Sequence, residues 1–75
     1  MKITGQLESV DMDSITAIVV VTANGQRHYC HAEARMIANA FDDLWPAGDW
    51  QGQWVECVID HIGLLQSFQP MEDRE

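Results

Sequence analysis

Ser14-Ile15-Thr16-Ala17-Ile18-Val19-Val20-Val21-Thr22 is the segment against which the rest of the chain has to be arranged. Ile15, Ile18, Val19, Val20 and Val21 are β-branched and pack best on a pleated surface, and the run is far too short for a membrane span. It predicts a central β-strand. Alternation places Ile15, Ala17, Val19 and Val21 on one face and Ile18 and Val20 on the other, so burying the first face leaves a second that also wants cover.

The neighbouring segments supply partners for this strand. Lys2 to Val10 alternates Ile3, Gly5 and Leu7 against Thr4, Gln6 and Glu8, a half-buried strand with Gly5 at a bend or bulge, and Asp11-Met12-Asp13 turns it. After Thr22, Asn24-Gly25 is a type I′ hairpin signal because both residues accept positive φ. Gln26 to His31 is then strand three, with Val21 opposite His28, Val20 opposite Tyr29 and Val19 opposite Cys30. From residue 32 the period changes. Ala34, Ile37, Ala38, Phe41, Leu44 and Trp45 form one stripe of a helix over about 32–45, with Glu33 suited to its first turn and the Trp45-Pro46 bond as its stop.

Pro46 to Gly52 reads as a loop, and Gln53 to Asp60 as a strand with Val55, Cys57 and Ile59 on one side and Trp54, Glu56 and Val58 on the other. Gly63 permits a tight turn into a fifth strand, Leu64 to Gln69, closed by Pro70, and residues 71–75 read as a frayed tail. One α+β domain over 1–75 is expected, with five antiparallel strands in the order β-β-β-α-β-β. That order resembles an OB-fold in its shortest form, a strongly curved sheet or small barrel with a helix between strands three and four. An open antiparallel sheet with the helix across one face is the alternative.

A chain of 75 residues buries only about 60% of its unfolded surface and has little room for a deep pocket. Twelve acidic residues against four basic ones give a net charge of −8, with no Lys/Arg cluster. Direct binding to nucleic acid is not expected, because such binding draws on basic side chains that release phosphate counterions. Met1-Lys2-Ile3-Thr4-Gly5-Gln6 lacks the apolar core of a signal peptide and no run reaches transmembrane length, so the expected location is the cytoplasm, with no membrane partner. Cys30 and Cys57 are expected as buried free thiols.

The sequence carries no catalytic, metal or cofactor signature, and an enzyme is not expected. His28, Cys30, His31, Cys57 and His61 are zinc-competent, but His28 and Cys30 point one way on a strand and His31 the other, and there is no C-x-x-C. Asp42 and Asp43 diverge by about 100° around a helix and cannot share a proton or a water. No serine lies in a nucleophile elbow, and the glycines sit singly rather than in a phosphate loop.

Two features point instead to a partner. Asp42 and Asp43 occupy the last turn of the helix, where the dipole end is negative and acids are disfavoured. Trp45, Trp50 and Trp54 crowd around Pro46-Ala47-Gly48-Asp49; Trp45 and Trp54 could plug the end of the sheet, while Trp50 has small, polar loop neighbours and the residue type most enriched at binding hot spots.

An OB-like domain that grips nucleic acid carries basic residues and stacking aromatics on strands two and three, where this chain offers only Arg27 and Tyr29. In size, acidity, α+β build and missing catalytic residues the chain resembles small acidic phage-encoded inhibitors of the anti-CRISPR type, some of which mimic DNA. The resemblance implies a non-enzymatic protein of the host cytoplasm that docks on a basic protein surface, such as a Cas effector complex, and blocks it, as monomer or homodimer. Asp42, Asp43, Asp49 and Trp50 are the first candidates for the docking site, and Glu8, Asp11 and Asp13 the second. Extended carboxylates at i and i+2, such as Asp11 and Asp13, stand about 6.8 Å apart, near twice the rise per nucleotide of one DNA strand. The alternative is an assembly subunit that joins a dimer or complex through Ile18, Val20 and Tyr29 on the second face of strand two.

Overall fold

The computed structural model describes residues 1–71. It is α+β, with β1 (Lys2–Met12), β2 (Thr16–Ala23), β3 (Gln26–Glu33), α1 (Ala34–Leu44), β4 (Trp54–Ile59) and β5 (Leu65–Pro70). The strands form one antiparallel sheet in the order β3-β2-β1-β4-β5, so the strand rich in valine is an interior strand, paired along both of its edges.

The sheet is strongly curved and not closed. Cys30 on β3 and Cys57 on β4 share a side-chain hydrogen bond, although three strand spacings, about 14 Å on a flat sheet, separate their strands. The edge strands meet at an isolated parallel bridge between His31 and Leu64, where the His31 N–H donates to the Gly63 carbonyl at 2.9 Å. Inside the curve lie Ile3, Leu7, Val19, Val21, Cys30, Val55, Cys57 and Leu65, with Ile37 of the helix among them. Each such side chain contributes roughly 1.5–3 kcal/mol by leaving water.

The Asn24-Gly25 turn has φ of 54° and 79°, and the hairpin register pairs Val21 with His28, Val20 with Tyr29 and Val19 with Cys30, as the turn type dictates. β1 carries the bulge, but at Glu8 rather than Gly5: Leu7 pairs with Val21 and Ser9 with Val20, leaving Glu8 as the extra residue. One inserted residue resets the alternation, so Val10 and Met12 return to the concave side opposite Val19 and Ala17 and the strand runs on to Met12. Gly5 has a different task. A Cβ there would lie 2.3 Å from the Thr22 carbonyl oxygen, so the two backbones approach as closely as they do only because no side chain intervenes.

The turn between β1 and β2 falls two residues later than expected. The Asp13 carboxylate accepts from the N–H groups of Ile15 and Thr16, both at 2.8 Å, and this local turn ends the strand pairing at Thr16. Ile15, expected on the core face, is therefore 74% exposed. The helix starts at Ala34 rather than 32, because Ala32 and Glu33 stay in the ladder opposite Ala17 and Thr16. Glu33 is thus the extended residue before the helix, not part of its first turn, and gives no side-chain cap; the Ala34 N–H donates instead to the Ile15 carbonyl at 2.9 Å. Trp45, out of the helical region at φ −133° and ψ 70° before Pro46, ends the helix and donates its N–H to the Phe41 carbonyl at 2.8 Å.

The loop over 45–53 is tied back to the bulge. Gly52 donates its N–H to the Leu7 carbonyl and Leu7 to the Gln53 carbonyl, while the amide groups of Gln6 and Gln51 reach the carbonyls of Gly52 and Glu8. Met71 donates its N–H to the Trp54 carbonyl, extending the last pairing; the rest of the expected tail, 72–75, lies outside the described residues. Among the described residues no helix is long and apolar enough to cross a membrane.

Candidate functional site

The helix stripe places Phe41 above the end of the sheet, where it gathers an aromatic cluster. Its ring lies 5.2 Å from Trp45 edge-on, 5.5 Å from Trp50 and 5.6 Å from Phe68 in a stacked arrangement. Such pairs add about 0.5–1.5 kcal/mol beyond their burial, so the rings fix one another as well as the helix. Trp50 is therefore not a loosely held loop residue: it is half-buried and packs against the core. Trp54 is half-buried on β4, opposite Gln6.

Beside this cluster is an open cavity of about 330 Å³, lined by Val10 and Met12 of β1, Phe41, Asp42 and Trp45 of the helix end, and Trp50 of the loop. The bulge at Glu8 creates one wall, since without it Val10 and Met12 would face outward. Asp42, Asp43 and Asp49 are all exposed around this end of the molecule. The last turn of the helix carries no basic residue, and among the described residues no Lys or Arg lies within ion-pair distance of these three carboxylates. Asp42 borders the cavity.

The second acidic set is placed differently. Glu8 accepts from the Thr22 hydroxyl at 2.6 Å and from Arg27 Nε at 3.0 Å, and these two contacts hold its carboxyl below the usual carboxylate range. Asp13, gripped by two backbone N–H groups, is likewise lowered. It lies in the turn that follows β1. Glu8 and Asp13 are committed to internal contacts, and Asp11 is left exposed opposite Ile18.

On the convex face Tyr29 is 56% exposed and Ile18 half-buried, but Val20, expected beside them as exposed surface, retains only 7% of its exposure between Ser9 and Tyr29. The exposed apolar residues nearest to Tyr29 include Ile62 and Leu64, which flank Gly63 in the β4–β5 turn; Gly63 sits beside the Tyr29 carbonyl and the His31 ring. Neither Ile62 nor Leu64 was singled out in the sequence, where Leu64 was expected to open the fifth strand; the signal was their position on either side of Gly63.

Cys30 and Cys57 are buried free thiols. Their mutual hydrogen bond and their burial push the Cys57 thiol far up. His28 is half-buried, Cys30 buried and His31 exposed, as their alternation on β3 dictates. Among the described residues no three His, Cys, Asp or Glu side chains converge on a metal position. No protein-family model, curated protein or solved structure matches the chain.

Proposed function

We propose that this chain is a non-enzymatic docking protein that binds a basic surface of a nucleic-acid-handling complex and blocks it, in the manner of an anti-CRISPR inhibitor of a Cas effector. The observation that carries this reading is the grouping of Asp42, Asp43 and Asp49 around the aromatic end of the sheet, exposed and without ion-pair partners among the described residues. Elsewhere Glu56 pairs with Lys2 and Glu8 with Arg27, while Asp11 and Glu33 stand exposed on separate strands. With a net charge of −8, the acidic end presents a field that steers basic partners toward it and repels nucleic acid. The protein acts by occupying the partner's nucleic-acid site, so binding and nucleic acid should exclude one another.

Immobilised protein challenged with a bacterial lysate tests this. The captured partners should be nucleic-acid-handling proteins, released between about 0.1 and 0.5 M salt and displaced by added DNA or RNA. The double variant D42K/D43K should keep its fold and lose most of the capture. Partners that stay bound at high salt and ignore nucleic acid would overturn it.

A second reading, an assembly subunit joined through the convex face, draws on the exposure of Tyr29, Ile62 and Leu64 along the seam between the edge strands. In that case Leu64→Lys should shift a dimer to monomer in sedimentation, with no dependence on salt.

A further inference from the structure

We propose that the cavity at the end of the helix is a receptor for a single arginine side chain of the basic partner, the guanidinium held against the tryptophans and paired with Asp42. The inference rests on the docking function above and assigns the chemistry of its central contact.

Three properties of the cavity select a cation, and each is independent of the overall charge. Phe41, Trp45 and Trp50 all contribute to its lining, and aromatic faces attract cations, tryptophan most strongly. Asp42 stands on its border and is exposed, with no basic side chain of the described residues within ion-pair range. The helix C-terminus ends beside it, between Phe41 and Trp45, where backbone carbonyls give a partial negative charge and the last turn holds no Lys or Arg. The rest of the lining, Val10, Met12, Ile37, Ala38, Pro46 and Gly48, carries no charge. Val10 and Met12 suit the aliphatic stem of a long side chain.

Arginine fits better than lysine. Its guanidinium is flat, weakly hydrated and stacks on rings, and its parallel N–H groups match one carboxylate. A lysine ammonium would have to shed a tightly held water shell against the same walls. The cavity, about 330 Å³, is of the size that receives one side chain rather than a folded segment. Asp43 and Asp49 lie outside the lining and belong to the rim, where they would meet flanking basic residues.

The test uses two pentapeptides of equal charge, Lys-Lys-Arg-Lys-Lys and Lys-Lys-Lys-Lys-Lys with blocked ends, titrated into the ¹⁵N-labelled protein. The arginine peptide should bind about tenfold more tightly and shift the indole N–H signals of Trp45 and Trp50 more than that of Trp54. Asp42→Asn, at an exposed position, should leave the spectrum dispersed and bring the two peptides to equal affinity, whereas Asp43→Asn should weaken both alike. Trp50→Phe, which keeps a ring in the cluster, should reduce the arginine preference by several-fold. Equal affinities in the wild-type protein with unmoved indole signals overturn the arginine receptor but leave acidic docking standing. Absence of binding by either peptide at low salt overturns the receptor, and the docking function is then decided by the lysate capture alone.

Discussion

At the scale of single residues, Gly5 and the two buried thiols are the positions with least freedom. Gly5→Ala puts a methyl group 2.3 Å from a backbone oxygen of β2, and since backbone cannot swing aside like a side chain, the β1–β2 pairing has to open. The expected loss is about 2–4 kcal/mol, seen in urea unfolding as a lowered midpoint at unchanged slope. Cys57, with its thiol pushed far up by the contact with Cys30 and by burial, should resist alkylation at pH 8. Labelling by iodoacetamide should follow the unfolded fraction through a urea titration; rapid labelling of the native protein would contradict the packing. Asp13 gives a pH prediction with a defined sign. Its carboxyl is lowered by the N–H groups of Thr16 and Ile15 in the folded chain, so its contribution is fully present above the unfolded value, about pH 4, and disappears as pH falls through the lowered folded value. Asp13→Asn keeps an accepting oxygen but loses the charge. The melting-temperature gap between wild type and this variant should therefore be constant from pH 7 to about 5 and close by about pH 2.

At the scale of elements, the helix is held by what it buries rather than by its ends. It has no acid in its first turn, no base in its last and no side-chain cap, so Ile37 and the Phe41 cluster account for its position. Ile37→Ala should cost roughly 2–5 kcal/mol, enough to unfold much of so small a domain at 37 °C, with loss of far-ultraviolet helix signal as the readout. β2 offers a paired comparison. Val19 is fully buried and Ile18 half-buried on the opposite face, so Val19→Lys should abolish folding while Ile18→Lys leaves a dispersed NMR spectrum and a melting temperature within several degrees of wild type. An unfolded Ile18→Lys variant would place that residue in the core instead.

For the whole molecule, charge and small size act together. The sequence carries −8 on 75 residues, so the folded state gathers like charges that the unfolded chain holds apart. Raising salt from about 20 to 500 mM should therefore increase the melting temperature by a few degrees, while weakening any partner docked on the acidic end. These opposite responses separate stability from recognition in the same preparation.

Much of this was legible in the linear chain. Local stereochemistry suffices to fix Asn24-Gly25 as the turn, and a two-residue turn sets the whole β2–β3 register, so Val19 with Cys30 and Val20 with Tyr29 could be written down from spacing alone. The helix stop at Trp45-Pro46 and the element order were equally local. What the sequence could not supply was anything carried by contacts between distant residues. The bulge at Glu8 comes with contacts of its carboxylate to Thr22 and Arg27 on two other strands, and that bulge turns Val10 and Met12 inward. The late turn depends on which backbone groups Asp13 captures, and the burial of Val20 on its cross-strand neighbours Ser9 and Tyr29. The cavity combines both: two segments, 10–12 of the bulged strand and 37–50, meet only once the sheet has curved, which is why Asp42 and Trp50 could be singled out in the sequence but the space between them could not.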